Sequence, residues 1–378
     1  MRVSALQLTD FRSYEQAQLA LGPGVTTLVG RNGQGKTNVV EAIHYIATLS
    51  SHRVATDAPL IRAGAQVAVI QAHVEKAGRT LALEITLKAA GASNQARIGR
   101  AAAKPRDLVG IVRTVIFSPE DLELVKGDPG ARRRFMDELC VALQPALMGD
   151  LSDYDRVLRQ RVSMLKTAKL ARGDLTTLDI WDEKLAQLGG KIIAARLKAV
   201  EALRPWVAKA YSDVAPGQSV IDIAYAPSFP LAHENADAVS IGGELLEALR
   251  AKRAQEIDRG VTLSGPHRDD LNITLGDLPA KGYASHGESW SCALALRLGT
   301  YDLLTHDDGP DADPDGEPVL ILDDVFAELD SGRREALAQR LAQASQVIIT
   351  AAVAQDVPTA LRGATLTVAD GTITAQTP

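Results

Sequence analysis

The sequence predicts an α/β fold that is discontinuous along the chain, with a mainly helical second domain inserted into it. Three observations carry this reading. An apolar strand, Val25 to Val29, runs into a glycine-rich loop and then into a helix over residues 37–49. A second apolar run, Val319 to Leu322, ends on two adjacent acids, Asp323 and Asp324. Between them, residues 121–257 show mainly helical spacing. The α/β domain is therefore drawn as residues 1–120 and 258–378, and the helical insertion as 121–257. With 378 residues, 46% of them apolar, the chain has material for two cores.

Taken in order, Val3 to Leu8 and Val25 to Val29 read as strands. In the helix that follows, Val40, Ile43, Ile46 and Ala47 recur at helical spacing. Val67 to Val74 and Leu81 to Leu87 alternate apolar and polar, as an antiparallel pair does, and Val112 to Phe117 is a further short strand. The helical stretch holds Arg132–Leu143, Leu147–Leu170, Trp181–Val214 and Gly243–Arg259, with a strand at Ser219–Tyr225. Pro145, Gly173 and Pro216-Gly217 punctuate it. Strands return at Gly260–Leu263, Leu271–Leu275, Val319–Leu322, Val347–Ala351 and Leu366–Val368, with helices at Glu288–Leu304 and Ser331–Ala342 between them. Residues 306–318 (HDDGPDADPDGEP) read as a mobile polar loop.

The loop Gly30, Arg31, Asn32, Gly33, Gln34, Gly35, Lys36, Thr37, followed by Asn38, is G-x-x-x-x-G-K-T set between a strand and a helix. Glycines let successive backbone N–H groups turn toward a phosphate, and the helix N-terminus adds its dipole. Lys36 reaches the β- and γ-phosphates and the Thr37 hydroxyl ligates Mg²⁺, so the cofactors implied are ATP and Mg²⁺. The acid pair completes such a site. Asp323 holds Mg²⁺ through water, and Asp324 orients or deprotonates the attacking water. Two adjacent carboxylates ending an apolar strand call for a cation nearby.

Charge is unevenly spread. The net charge is −6, but residues 302–330 hold eleven acids and no Lys or Arg, which leaves +5 for the rest. Residues 88–113 carry six basic side chains against Asp107, and 153–172 carry six against two acids. Such patches suit a phosphate backbone and equally suit a solvated helix face. Aromatics make up 4% of the chain, so DNA contact would run through phosphates and be salt-sensitive. Arg132–Arg134 reads as a DNA or interdomain contact or as a solvated face, and His267-Arg268 as a ligand contact or a structural turn. Two cysteines, Cys140 and Cys292, build no disulfide framework and point to a reducing compartment. No stretch reaches the roughly 18 apolar residues of a membrane span, and no apolar signal segment opens the chain. The expected location is cytoplasmic.

At this point the motifs resemble a known group. The glycine-rich loop, Asp323-Asp324 and Glu328 to Asp330 resemble the ABC-type ATPase heads of SMC and Rad50. Phe11 to Tyr14, Phe117 to Leu122, Lys126-Gly127 with Arg132 to Asp137, Ser264 to Leu271, and Ala284 to Glu288 narrow the resemblance to the bacterial RecF family, over essentially the whole chain. The resemblance implies an ABC-type P-loop ATPase head without long coiled coils. It implies an ATP-dependent homodimer that binds single-stranded and double-stranded DNA at gap junctions. It further implies action with RecO and RecR to load RecA, support of the SOS response, and slow hydrolysis that releases DNA. Residue by residue, Ser285 and Gly287 match the signature that caps the γ-phosphate on the other subunit. Asp330 matches the D-loop acid, Thr350 the switch position, and Arg12 an N-terminal arginine near nucleotide. The signature departs from the usual Ser-x-Gly-Gln in carrying Glu288, and Gln71 is a candidate for a Q-loop. A DNA-structure scaffold that holds ATP with negligible hydrolysis, or another SMC-like head, remains an alternative.

Overall fold

The computed structural model describes residues 1–375 except 90–92, 172–175, 216–218, 233–236 and 308–315. Gly173, Pro216-Gly217 and most of the acidic loop lie outside the described residues. By internal packing the chain divides into two units. One is Met1–Leu122 with Trp206–Val220 and Ser285–Pro378, and the other is Glu123–Pro205 with Ile221–Ala284. The division falls inside the helix Thr176–Val214, at Pro205. Residues 258–284 go with the helical unit because Asp270–Leu275 pairs antiparallel with Ile221–Ala226.

The first unit holds two six-stranded sheets. One is antiparallel and runs Tyr14–Ala20, Arg2–Phe11, Val67–Lys76, Arg79–Lys88, Gln95–Ile98, Ala101–Ala103 from edge to edge. The expected pairing of the third and fourth of these strands is present, with Ile70 opposite Ile85. Tyr14–Ala20 was not legible as a strand: its buried residues Tyr14, Ala17 and Leu19 break strict alternation. The other sheet runs Thr372–Ala375, Ala364–Ala369, Gly24–Val29, Gln346–Ala351, Val319–Asp323, Thr114–Phe117. All its pairings are parallel except the first, an antiparallel edge. Val319–Asp323 and Gln346–Ala351 are buried throughout, as continuous apolar runs in a parallel sheet require.

The helix Lys36–Thr48 lies against both sheets. Its Val39, Ile43 and Ile46 share one core with Leu6, Leu8, Ile70 and Leu87 of the first sheet and Leu28, Ile321 and Ile348 of the second. Every residue from Val39 to Ala47 is buried, which includes the charged Glu41. Each buried Ile or Val contributes about 1.5–3 kcal/mol relative to exposure, so this helix is fixed from all sides, and with it the loop at its head.

The second unit packs the helices Pro129–Leu143, Leu147–Ala171 and Ala238–Arg259 with a three-stranded antiparallel sheet. Tyr154, Val157, Leu185, Ile192, Ile241, Leu245 and Leu249 form its core. The expected strand at Gly260–Leu263 is absent. Gly260 caps the preceding helix in the left-handed region at φ 65°, and Leu263 N donates to the Glu256 carboxylate at 2.6 Å, so side chains satisfy the backbone that a sheet would otherwise pair. Arg132 is buried rather than solvated: its guanidinium is bidentate to Asp270 at 2.6 and 2.8 Å and bonds the carbonyls of Leu124 and Gly127.

Candidate functional site

Register builds the site before any side chain does. In the parallel sheet Asp323 stands beside Thr350, and Thr350 beside Leu28. The carboxyl ends of three central strands therefore coincide, the place where open α/β sheets bind ligands. The chain leaves the first of these strands at Gly30 and enters the loop. A Cβ on Gly30 would sit 2.2 Å from the Val368 carbonyl oxygen, so only glycine lets the loop pass this strand. Gly35 takes φ 103° as it opens the helix, with the buried Tyr14 hydroxyl donating to its carbonyl at 3.1 Å.

Lys36 folds its amine back over the loop. It donates to Gly30 O at 2.7 Å, and lies 3.4 Å from both Arg31 O and Asn32 Oδ1. Arg31, Asn32 and Gly33 are exposed. Gln34 accepts from Asp370 N at 2.6 Å, and Asn38 donates to Ser13 Oγ at 2.9 Å. At the other side, Thr37 Oγ1 donates to Asp323 Oδ1 at 3.0 Å and Thr350 Oγ1 to the same oxygen at 2.6 Å. Asp324 N donates to Thr350 Oγ1 at 2.9 Å. Asp324 itself has φ 52°, a conformation that is uncommon outside glycine but which Asp tolerates. Burial raises the Asp324 carboxyl above the ordinary aspartate range; Lys36 pulls it back, and Asp323 pushes it up again.

Among the described residues no group of three or more His, Cys, Asp or Glu could hold a metal alone. Mg²⁺ in phosphate sites takes one or two protein oxygens and completes its shell with phosphate and water. The hydroxyl of Thr37 and the carboxylate of Asp323, already within hydrogen-bond distance of each other, are a donor set of that kind.

The remaining sequence-derived residues fall elsewhere. Ser285 is the N-cap of the helix His286–Thr305, its hydroxyl accepting from Glu288 N at 3.2 Å. The Glu288 carboxylate folds back to accept from Ser285 N at 2.8 Å, which closes a capping box and holds that carboxyl below its usual range. Asp330 caps the helix Ser331–Leu341, accepting from Arg333 N at 3.0 Å. The Arg333 side chain pairs with Asp330, bonds Ser291 Oγ at 2.8 Å, and lies close against Gly287. Gly287 and Asp330 are thus linked through Arg333. Arg12 is committed to Glu41, at 2.8 and 2.6 Å, and to Pro59 O, so it braces the helix behind the loop. Gln71 pairs across the antiparallel sheet with Glu84 at 2.6 Å. His267 is held between the Tyr154 hydroxyl at 2.8 Å and Thr262 O at 3.2 Å, a structural turn.

Sequence reasoning missed the shell behind the loop: Tyr14, Glu41, Ser51, His52 and Arg53. Ser51 Oγ donates to Glu41 at 2.5 Å, and Arg53 donates to Asn38 Oδ1 at 3.2 Å. The one available signal was a charged Glu41 amid the apolar residues of a helix that is buried on every side.

Comparison with known proteins places this geometry. The model of the RecF/RecN/SMC N-terminal domain matches residues 2–374. The chain is 54% identical over 380 residues to the DNA replication and repair protein RecF of Streptomyces avermitilis, covering 99% of each. It is similar to a solved structure of the recombination mediator protein RecF with ATP in the RecFOR pathway, at 27% identity and TM-score 0.89, over 99% of this chain and 97% of that one. An SMC head bound to the C-terminal winged-helix domain of ScpA shares the fold, at 15% identity and TM-score 0.55, over 100% and 97% of the two chains.

Proposed function

The chain belongs to the RecF family of DNA replication and repair proteins, within the RecF/RecN/SMC class, and on that premise we propose that it is an ATP-driven DNA clamp of recombinational repair. In this reading two copies close around ATP, hold DNA where single and double strands meet, act with RecO and RecR to place RecA, and support the SOS response. Slow hydrolysis then opens the dimer and releases DNA. The reading places the protein in the cytoplasm.

The observation that supports it best is the network in which Thr37 and Thr350 both donate to Asp323 while Thr350 holds the backbone of Asp324. It arranges the acids beside Lys36 before nucleotide arrives. Phosphate oxygens replace the loop carbonyls on Lys36. Thr37 and Asp323 would hold Mg²⁺, which when bound offsets charge on the β- and γ-phosphates. Asp324, a better proton acceptor for its raised pKa, faces the attacking water. Ser285 and Gly287 of a second copy present a helix N-terminus to the γ-phosphate, with Asp330 across the same interface. Glu288 in that first turn weakens the field on an anion, which supports a low turnover. Exposed Arg97, Arg100, Lys104 and Arg106, at one edge of the antiparallel sheet, suit DNA phosphate.

Asp324→Asn tests this assignment. ATP affinity should stay within about two-fold of wild type while turnover falls by about 10²-fold or more, and the ATP dimer should persist. Hydrolysis at the wild-type rate would remove Asp324 from its role.

A further inference from the structure

After the helix Lys36–Thr48 the chain turns at Leu49, at φ 57°, and returns along the helix as Ser51, His52 and Arg53. Ser51 and Arg53 have partners on the helix, Glu41 and Asn38. His52 has none. Its side chain is 7% exposed, and Nε2 stands 3.9 Å from Asp323 Oδ2. Both ring nitrogens are buried without a hydrogen-bond partner among the described residues. The ring meets His44 edge-on, with centroids 5.9 Å apart, while His44 Nδ1 is engaged with Thr114 Oγ1 at 2.9 Å.

A buried imidazole with both nitrogens unsatisfied is unfavourable, and native proteins resolve such groups with protein, water or ligand. The arrangement at Asp323 shows what is missing. Thr37 and Thr350 both donate to Oδ1, whereas Oδ2 is faced by His52 Nε2 at 3.9 Å. At 3.9 Å the gap is too long for a direct hydrogen bond but short enough to close with a small ring movement or an intervening water. Carboxylates that serve a cation are oriented by such outer partners.

We propose that His52 is a positioning residue for the cation bound with ATP: its Nε2–H holds Oδ2 of Asp323, so that the carboxylate keeps the plane in which it can serve Mg²⁺. This rests on the reading of Thr37 and Asp323 as the Mg²⁺ pair. The imidazole acts as a hydrogen-bond donor to Asp323 and is not itself a nucleotide ligand.

The test is calorimetric titration of ATP into the full chain, once with EDTA and then across a series of Mg²⁺ concentrations. His52→Phe keeps a ring and removes both nitrogens; His52→Gln restores a donor near Nε2. Loss of an outer partner should raise the Mg²⁺ midpoint for ATP binding by about ten-fold in His52→Phe and leave His52→Gln within about two-fold of wild type. Affinity for ATP in EDTA should be unchanged in both. Should His52→Phe not fold by thermal melting, His52→Asn, whose amide reaches only the Nδ1 position, replaces it with the same expectation. A wild-type Mg²⁺ midpoint in His52→Phe, or a shift in His52→Gln as large as in His52→Phe, overturns the inference alone. A wild-type chain that binds no ATP overturns the nucleotide reading and this inference with it.

Discussion

Single positions set the loop. Gly35 has φ 103°, and a Cβ there would meet Tyr14 Oη at 2.8 Å and Ser13 Oγ at 2.9 Å. Tyr14 is fully buried and cannot swing aside. Gly35→Ala should therefore cost roughly 1–3 kcal/mol of stability from the strained backbone alone and weaken ATP binding. Urea unfolding and ATP titration check both, and unchanged values in the two would contradict the geometry. A pH effect belongs to this scale too. Burial lowers the His267 pKa from 6.5 to about 4, so the fold prefers the neutral ring. Its contribution is full above about pH 6.5 and is lost as pH falls toward 4, on the order of 3 kcal/mol. His267→Gln should flatten the stability profile across that window relative to wild type; a profile as steep as before would place the acid sensitivity elsewhere. His267 also shows where sequence reading stops. A turn after Gly265-Pro266 was legible, but its partner Tyr154 lies 113 residues away, and nothing local announces that.

Elements carry the stability of the helical unit. Arg161 is fully buried and bonds Asp182 at 2.6 Å, Thr262 at 2.7 Å and Glu256 at 2.6 Å, so one side chain ties three segments of that unit. Arg161→Ala leaves the buried Glu256 carboxylate without its charge partner, while Asp182 keeps Arg253, and should cost about 3–5 kcal/mol, read as a loss of midpoint in urea. A loss under about 1 kcal/mol would mean water already screens the cluster. In the sequence Arg161 belonged to a run of six basic residues that suited DNA. The structure removes it from that surface, as it removes Arg132 into its pair with Asp270. Charge counts along a chain cannot tell a solvated arginine from one buried by a distant acid. The strand ends were legible for the opposite reason. Glycine spacing, the Lys-Thr pair and an apolar run stopping at Asp323-Asp324 are local constraints, and the register Asp323 to Thr350 then follows from pairing two apolar strands. The bracing of the helix Lys36–Thr48 by Arg12 and the pairing of Glu41 with Ser51 were not legible, because they depend on how the antiparallel sheet folds over the helix.

For the whole molecule, the proposal is that each chain carries two halves of different sites. Lys36, Thr37, Asp323 and Asp324 form one half. Ser285, Gly287 and Asp330 form the other: Asp330 pairs with Arg333, which lies against Gly287, and Ser285 bonds Glu288. Ser285 and Glu288 close a capping box at the N-terminus of helix His286–Thr305, and in this proposal the first-turn N–H groups of His286 and Gly287 meet an anion from a second copy. ATP then links two chains, and the DNA that the dimer holds is released when the γ-phosphate is gone. Sedimentation velocity of the full chain with ATP and with ADP, each with and without gapped DNA, and repeated with Ser285→Arg, tests this most directly. The account predicts dimers of the wild type in ATP, monomers in ADP, co-sedimentation with gapped DNA in ATP, and a Ser285→Arg chain that binds ATP but stays monomeric. A wild type with the same mass in ATP and ADP, or a Ser285→Arg chain that dimerises normally, would contradict it.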